Sequence, residues 1–427
     1  YNGLRHRLLG RWQLGNLKTI ANASILSTDD LLLSTNFTRV NARTIYDLKN
    51  AWVGGSLQLE DNLRIAKSND SITPNSQRFN EYALYTGVGD STNIYVEGGF
   101  KYRTNDSLRL NKIERVNTSK TYYLKSQLLK NDKTNLSIFV NYRNLVYTDQ
   151  RESENSLNSR LLYDQRFAND IVRLNTVYET NSGTQPQQEF TYIQVDEGQG
   201  THTWNDYNGD GVQELDEFEI AQFQDEADYV RVLLPNQVFV RTHQNRLSQQ
   251  LTLQPGQWSG QKGIKKFLSH FYNQTSYILD KKVLRLSNDF SLNPFNEDEN
   301  EIGATINLRN TLFFNRGKQR YTTSYSFLSN TSKTLLSTGL QEGKLLTHQL
   351  NFLHKVKESW LFNFKSSVGS TQSIAENFVS RNFDIDNSGF NPKVSYLFGK
   401  QSRVSLFYEF QNKENQSEGQ ERLDQQN

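Results

Sequence analysis

Along most of the chain, apolar and polar residues alternate one for one in short stretches. Ile94, Val96, Phe100 and Tyr102 fall on one side of such a stretch, and Tyr95, Glu97, Lys101 and Arg103 on the other. The same pattern groups Leu136, Ile138, Val140, Tyr142 and Val146, then Trp360, Phe362, Phe364 and Val368, then Val404, Leu406, Tyr408 and Phe410. Side chains of a β-strand point to opposite faces with period two, so each stretch predicts a strand with one oily and one wet face. The wet face is strongly hydrophilic, with Asn363, Lys365 and Ser367 in one strand and Arg403, Ser405 and Glu409 in another. Such a face requires water.

About sixteen to twenty such stretches follow one another, many of about ten residues or more, the length a tilted membrane crossing needs. Short polar turns are expected at 131–134 and at Asn169–Asp170, where Asn and Asp tolerate tight-turn dihedrals. Longer connections are expected at 67–77, 149–156, 291–301 and 375–388. Alternating short turns and long loops are the habit of outer-membrane barrels. The acidic run 297–301 reads as a solvated hairpin loop. One short helix is expected within Leu215–Ala227. The chain ends in what reads as a hydrophilic loop after a strand finishing near Phe410, and further strands are expected beyond Asn427.

Composition sharpens the prediction. A soluble domain draws about 45–50% of its residues from the apolar set including glycine. Here that set without glycine is 35%, glycine adds 25 of 427 residues, and aromatics are 12%; mean hydropathy is -0.73. The chain is too aromatic to be disordered and too polar to fill a dry core of its size. An outer-membrane barrel reconciles the two, because only its lipid-facing side chains must be apolar while the lumen holds water. No apolar run exceeds roughly four residues, against the ~18 or more of a membrane-spanning helix. Any passage through lipid must therefore use strands closed into a barrel without free edges.

Cys is absent, which excludes disulfides and thiolate sites. Met is absent too, and the first residue, Tyr1, carries no initiator or signal segment, so the sequence reads as a processed or partial chain. A net charge of +2 gives no argument for nucleic acid. The expected organisation is barrel strands over 1–180, an excursion over 181–235, and barrel strands over 236–427.

One motif carries specific chemistry. From Asp206 to Glu217 the sequence places oxygen-bearing side chains at positions one, three and five (Asp206, Asn208, Asp210), glycine at six (Gly211) and an acid at twelve (Glu217). Alternate residues of a tightly turning loop converge their oxygens on one point, which is the calcium-loop pattern. Val212 would offer its backbone carbonyl and Glu214 would bind directly or through water. The expected ligands of a structural Ca²⁺ are thus Asp206, Asn208, Asp210, Val212, Glu214 and Glu217. The preceding Gly198-Gln199-Gly200-Thr201 is a poor helix, so a lone site is expected rather than a paired EF-hand sensor. His202 and Trp204 are expected to pack against the loop.

The runs 192–200, 204–211 and 214–221, including Trp204-Asn205-Asp206-Tyr207-Asn208-Gly209-Asp210-Gly211 and Glu214-Leu215-Asp216-Glu217-Phe218, resemble a segment of large outer-membrane proteins of Bacteroidetes. The Asn, Gln, Tyr and Phe bias of the strands is similar in style to barrels of that phylum. The resemblance implies the outer membrane, with lipid and lipopolysaccharide as surroundings.

The six histidines, His6, His202, His243, His270, His348 and His354, lack metal-ligand spacing. His270 lies near Ser269 and Ser276 on an expected strand Phe267–Ile278, but no orienting acid accompanies them, so no catalysis is assigned. Two functions fit an antiparallel transmembrane β-barrel of roughly sixteen or more strands: a conduit or translocon for export or uptake, or a structural docking member of a surface complex with protein partners. A soluble calcium-binding adhesin fits the loop but not the long strands.

Overall fold

In the computed structural model, the described residues are all except 1, 91–93, 208, 210, 222, 297–299, 319, 337–338, 358, 377–381, 400–401, 418–421 and 427; at 186–189, 216, 224, 233, 235–238 and 339 only the backbone is described. Part of the acidic run, 297–299, thus lies outside the described residues. The chain forms two compact units. The first comprises Tyr1–Arg166 and Asn175–Ser182, and the second Phe167–Leu174 and Gly183–Asn427.

The first unit is an antiparallel meander of β1 (Asn2–Leu14), β2 (Leu17–Asp29), β3 (Leu33–Asp47), β4 (Ala51–Ala66), the short β5 (Ser71–Ile72), β6 (Gln77–Gly89), β7 (Tyr95–Arg109), β8 (Lys112–Lys130), β9 (Thr134–Tyr147) and β10 (Glu154–Phe167). Apart from β5, which pairs only with the end of β4, each strand is hydrogen-bonded to the next, β4 to β6 included. The turn expected at 131–134 is present, with the Asn131 side chain accepting from the Lys133 and Thr134 amides. At Asn169–Asp170 both residues take positive φ, the tight-turn conformation that Asn and Asp tolerate.

β11 (Val172–Gln194) leads to an excursion containing β12 (His202–Trp204) and β13 (Phe218–Ile220), after which β14 (Tyr229–Leu253) follows. Strand therefore reaches further into 181–235 than the polar sequence suggests, leaving 195–228 between the two long strands. The second unit continues with β15 (Phe271–Leu284), β16 (Glu301–Phe314), β17 (Tyr321–Leu336), β18 (Gly339–Val356), β19 (Trp360–Ala375) and β20 (Phe383–Phe398), again each paired antiparallel with the next. β21 (Ser402–Phe407), β22 (Phe410–Asn415) and β23 (Arg422–Gln426) complete it.

The all-β antiparallel class and the large strand number are as the alternation predicts. Several details differ. Residues 383–388, expected in a loop, are strand, and residues after Phe410 form β22 and β23. The stretch from Val404 to Phe410 is broken because β20 presents Pro392, which accepts from the Tyr408 amide but has no N–H to return. The helix expected within Leu215–Ala227 is reduced to 3₁₀ turns at Leu215–Glu217 and Gln224–Glu226, separated by β13. A 3₁₀ segment at Pro255–Gly260 and a one-turn helix α1 (Ile264–Leu268) precede β15, so Phe267 is helical and the strand starts at Phe271. No helix among the described residues is long and apolar enough to cross a membrane.

Burial is inverted relative to a globular sheet. Ala83 and Tyr85 on β6 are 5% and 6% exposed, while Leu84 between them is 70% exposed. Register sets Leu84 beside Phe100 and Phe100 beside Tyr122, which is 53% exposed, so the outward row is apolar. The opposite face carries Glu81, Lys101, Arg103 and Asn141. In the second unit, Leu312, Tyr325, Leu350, Ser366 and Phe390 form one cross-strand row, and its four large apolar members are exposed.

Candidate functional site

The sequence-predicted calcium loop is the connection of a β-hairpin. β12 pairs with β13 through His202↔Ile220, Thr203↔Glu219 and Trp204↔Phe218, and the Asn205 amide donates to the Glu217 carbonyl at 2.9 Å to close the loop. Flanking strands replace the helices of an EF-hand, as the glycine-rich approach requires.

Within the loop, Asp206 folds the chain over itself. Its Oδ1 accepts from the Gly209 amide at 2.7 Å and its Oδ2 from the Gly211 amide at 2.9 Å. Gly209 and Gly211 both adopt φ near +70°, a region that side chains other than glycine disfavour. Glu217 is the buried acid, 3% exposed. Its carboxylate accepts from the Trp204 indole N–H at 2.9 Å, the Tyr207 amide at 3.2 Å and the Glu214 amide at 3.4 Å. Glu214 and Glu217 also form a reciprocal capping box around the Leu215–Glu217 turn. Among the described residues Glu217 makes no ion pair. Asn208 and Asp210 lie outside the described residues, and the Val212 and Glu214 side chains are exposed.

An aromatic platform supports the hairpin. Tyr192 stacks on Phe218 with ring centres 4.1 Å apart and meets His202 edge-on at 5.0 Å, and Phe218 meets Tyr229 at 5.0 Å. Gln213, in place of the usual apolar residue at loop position eight, donates to the Tyr229 hydroxyl at 2.8 Å. Burial, with repulsion from Arg231, holds the His202 imidazole below its ordinary pKa. Trp204 thus packs against the loop as expected, its contact to Glu217 adding a hydrogen bond that spacing alone did not indicate, whereas His202 packs on Tyr192 at the base of the hairpin.

The first unit holds a site that sequence reading missed. A cavity of about 480 Å³ is lined from β2 (Asn22) through Arg43, Gln58, Tyr85, Lys101 and Tyr123 to β9 (Asn141). On a flat sheet these outer strands would stand about 29 Å apart at ~4.8 Å per strand. One cavity touches them all because the sheet of this unit curls with its wet face inward. Three aromatics stiffen the curl by lying over glycines of neighbouring strands. Tyr85 covers Gly54, Tyr123 covers Gly99 and Trp52 covers Gly87, each so closely that a Cβ would collide with the ring. Glu97 accepts from both the Trp52 indole and the Tyr123 hydroxyl at 3.3 Å, and Arg43 donates to the Tyr85 hydroxyl at 2.8 Å. Only cross-strand register brings these residues together.

The Ser–His pairing around His270 does not form a nucleophile site. A His270 ring nitrogen lies 2.6 Å from the Asn315 side-chain oxygen, while Ser269 donates to the Lys266 carbonyl at 2.6 Å. Among the described residues no group of three metal-ligating acids or histidines occurs.

No protein-family model matches the chain. No curated protein matches it either. Among solved structures it is similar to a double mutant of the Serratia marcescens hemophore receptor HasR in complex with its hemophore HasA and heme, at 10% identity over 96% of this chain and 74% of that one, TM-score 0.33. It is also similar to the copper transporter OprC, at 9% identity over 96% of this chain and 71% of that one, TM-score 0.33. A third is the siderophore receptor PiuA from Acinetobacter baumannii, at 7% identity over 96% and 73%, TM-score 0.27. Likeness at this level leaves the function to be read from the chain's own side chains.

Proposed function

We propose that this chain is a transmembrane β-barrel of the outer membrane, or most of one, acting as a conduit for uptake or export. The observation that carries the reading is the inversion at β6, where Leu84 is exposed and its wet-face neighbours Ala83 and Tyr85 are covered. Burying an apolar side chain such as leucine is favourable by about 1.5–3 kcal/mol, so repeated outward rows of this kind are tolerable only against lipid. Outer-membrane lipid and lipopolysaccharide then cover the dry face, and protein partners meet the loops. The wet face lines a hydrated passage.

Partition between aqueous and detergent phases tests the membrane reading, and conductance of the reconstituted full chain in planar bilayers tests the passage. Recovery of monodisperse protein in the aqueous phase without amphiphile would overturn the first. A sealed bilayer at full incorporation would overturn the second.

For the excursion we propose a structural Ca²⁺ held by Asp206, Asn208, Asp210, Val212, Glu214 and Glu217. Support comes from the Glu217 carboxylate, buried with three N–H donors and no ion pair among the described residues, a place where a divalent cation balances charge. Chelation is expected to speed proteolysis within 195–228. Cleavage that is equally fast with and without chelator sinks the site.

A further inference from the structure

The wet face of the first unit carries a charge pattern that no single strand reveals. Register aligns Arg43 with Ser56, Ser56 with Ala83, Ala83 with Lys101, Lys101 with Thr121, and Thr121 with Arg143. One row across six strands therefore holds three cations separated only by small side chains. The next row along the strands runs Gly54, Tyr85, Gly99, Tyr123, in the same register. Small residues and glycine-seated rings leave open space above the sheet, into which the long basic side chains reach.

Few carboxylates answer these cations. Arg43, Lys101 and Lys125 line the 480 Å³ cavity, and Arg103 and Arg143 line a second of about 470 Å³ that shares Lys101 and Asn141 with the first. Glu81 is divided between Lys101 at 3.4 Å and Arg103 at 3.8 Å. Glu97 spends its two oxygens on Trp52 and Tyr123. Arg43, Lys125 and Arg143 make no ion pair among the described residues. Five cations thus face two carboxylates, although the entire chain carries a net charge of only +2. A concave wet surface backed by a low-dielectric wall concentrates such a field and draws in counter-charged solutes.

We infer that this row is a binding track for small polyanions whose carboxylate or phosphate groups meet Arg43, Lys101 and Arg143 in turn. Guanidinium groups fork two N–H donors onto either oxyanion, and the lysines add mobile point charges. The track gives the proposed conduit the charge class of its solute. It depends on that reading for passage but not for binding.

The test uses the full chain in detergent micelles, titrated calorimetrically with citrate, inorganic phosphate and maltose. Citrate or phosphate is expected to bind saturably and to weaken steeply with salt, while maltose does not bind. Tighter citrate assigns carboxylate recognition, and tighter phosphate assigns phosphate. The double variant Lys101→Gln/Arg143→Gln is expected to lose at least tenfold in affinity, and Lys101→Arg to keep it. The inference fails if neither anion outcompetes maltose, or if the double variant binds like the parent while its circular dichroism shows it folded. Because binding is read in micelles, a closed bilayer in the conductance experiment leaves this result independent.

Discussion

Tyr85 lies over Gly54 of the neighbouring strand, with ring carbons 2.6 Å from where a Cβ on Gly54 would stand. The ring is 6% exposed and its hydroxyl accepts from the Arg43 side chain at 2.8 Å, so one contact joins β3, β4 and β6. Gly54→Val is expected to expel the ring and cost on the order of 1–3 kcal/mol, as overpacking does. Gly55→Ala, whose Cβ would meet nothing nearer than 3.4 Å, should cost much less. Unfolding in urea, followed by tryptophan fluorescence, separates the two.

Leu84 points the other way, 70% exposed. Leu84→Arg is expected to destabilise the chain in vesicles by about 2–4 kcal/mol if the residue sits near the bilayer midplane. Gln58→Arg on the opposite face, where register sets the residue beside Glu81, should be nearly neutral. Equal costs at both positions, measured by reversible denaturation in lipid, would remove the distinction between the faces.

Trp204→Phe keeps the ring and deletes the indole N–H that Glu217 accepts at 2.9 Å. A hydrogen bond to a charged group is worth about 1.5–3 kcal/mol, so the excursion is expected to loosen by that order while the long strands stay protected. Hydrogen exchange of 195–228 should quicken by tenfold or more. Exchange rates matching the parent would mean that the contact holds nothing in place.

The excursion is also expected to respond to acid. His202 has its pKa lowered by burial and by Arg231, so the folded hairpin binds fewer protons than the unfolded one below about pH 6.5. Its stabilising share is complete above the ordinary histidine range and is lost as pH falls through it. Proteolysis of 195–228 should therefore accelerate between pH 7 and pH 5, and His202→Gln should flatten that dependence. A profile unchanged by the substitution would assign the acid response to another group.

Alternation alone made the strands legible, since a period of two can be read from single residues such as Val96, Phe100 and Tyr102 against Lys101 and Arg103. The loop from Asp206 to Glu217 was legible for a similar reason, because its spacing is local. Strand ends were less so: Phe383–Ser388 looks like a loop by composition, yet its backbone is laddered to β19 through Phe383↔Ser373 and Val368↔Ser388. Polar residues stay in strands when a wet face awaits them.

What the tertiary structure alone decided is which strands stand side by side and by how many residues they are offset. Arg43 and Arg143 are a hundred residues apart in the chain, and nothing near either one announces a shared row. Five strand pairings add up to that row, and each is set by long-range hydrogen bonds and by rings seated on distant glycines. Local periodicity determines which face a side chain joins; only the summed register determines its neighbours there.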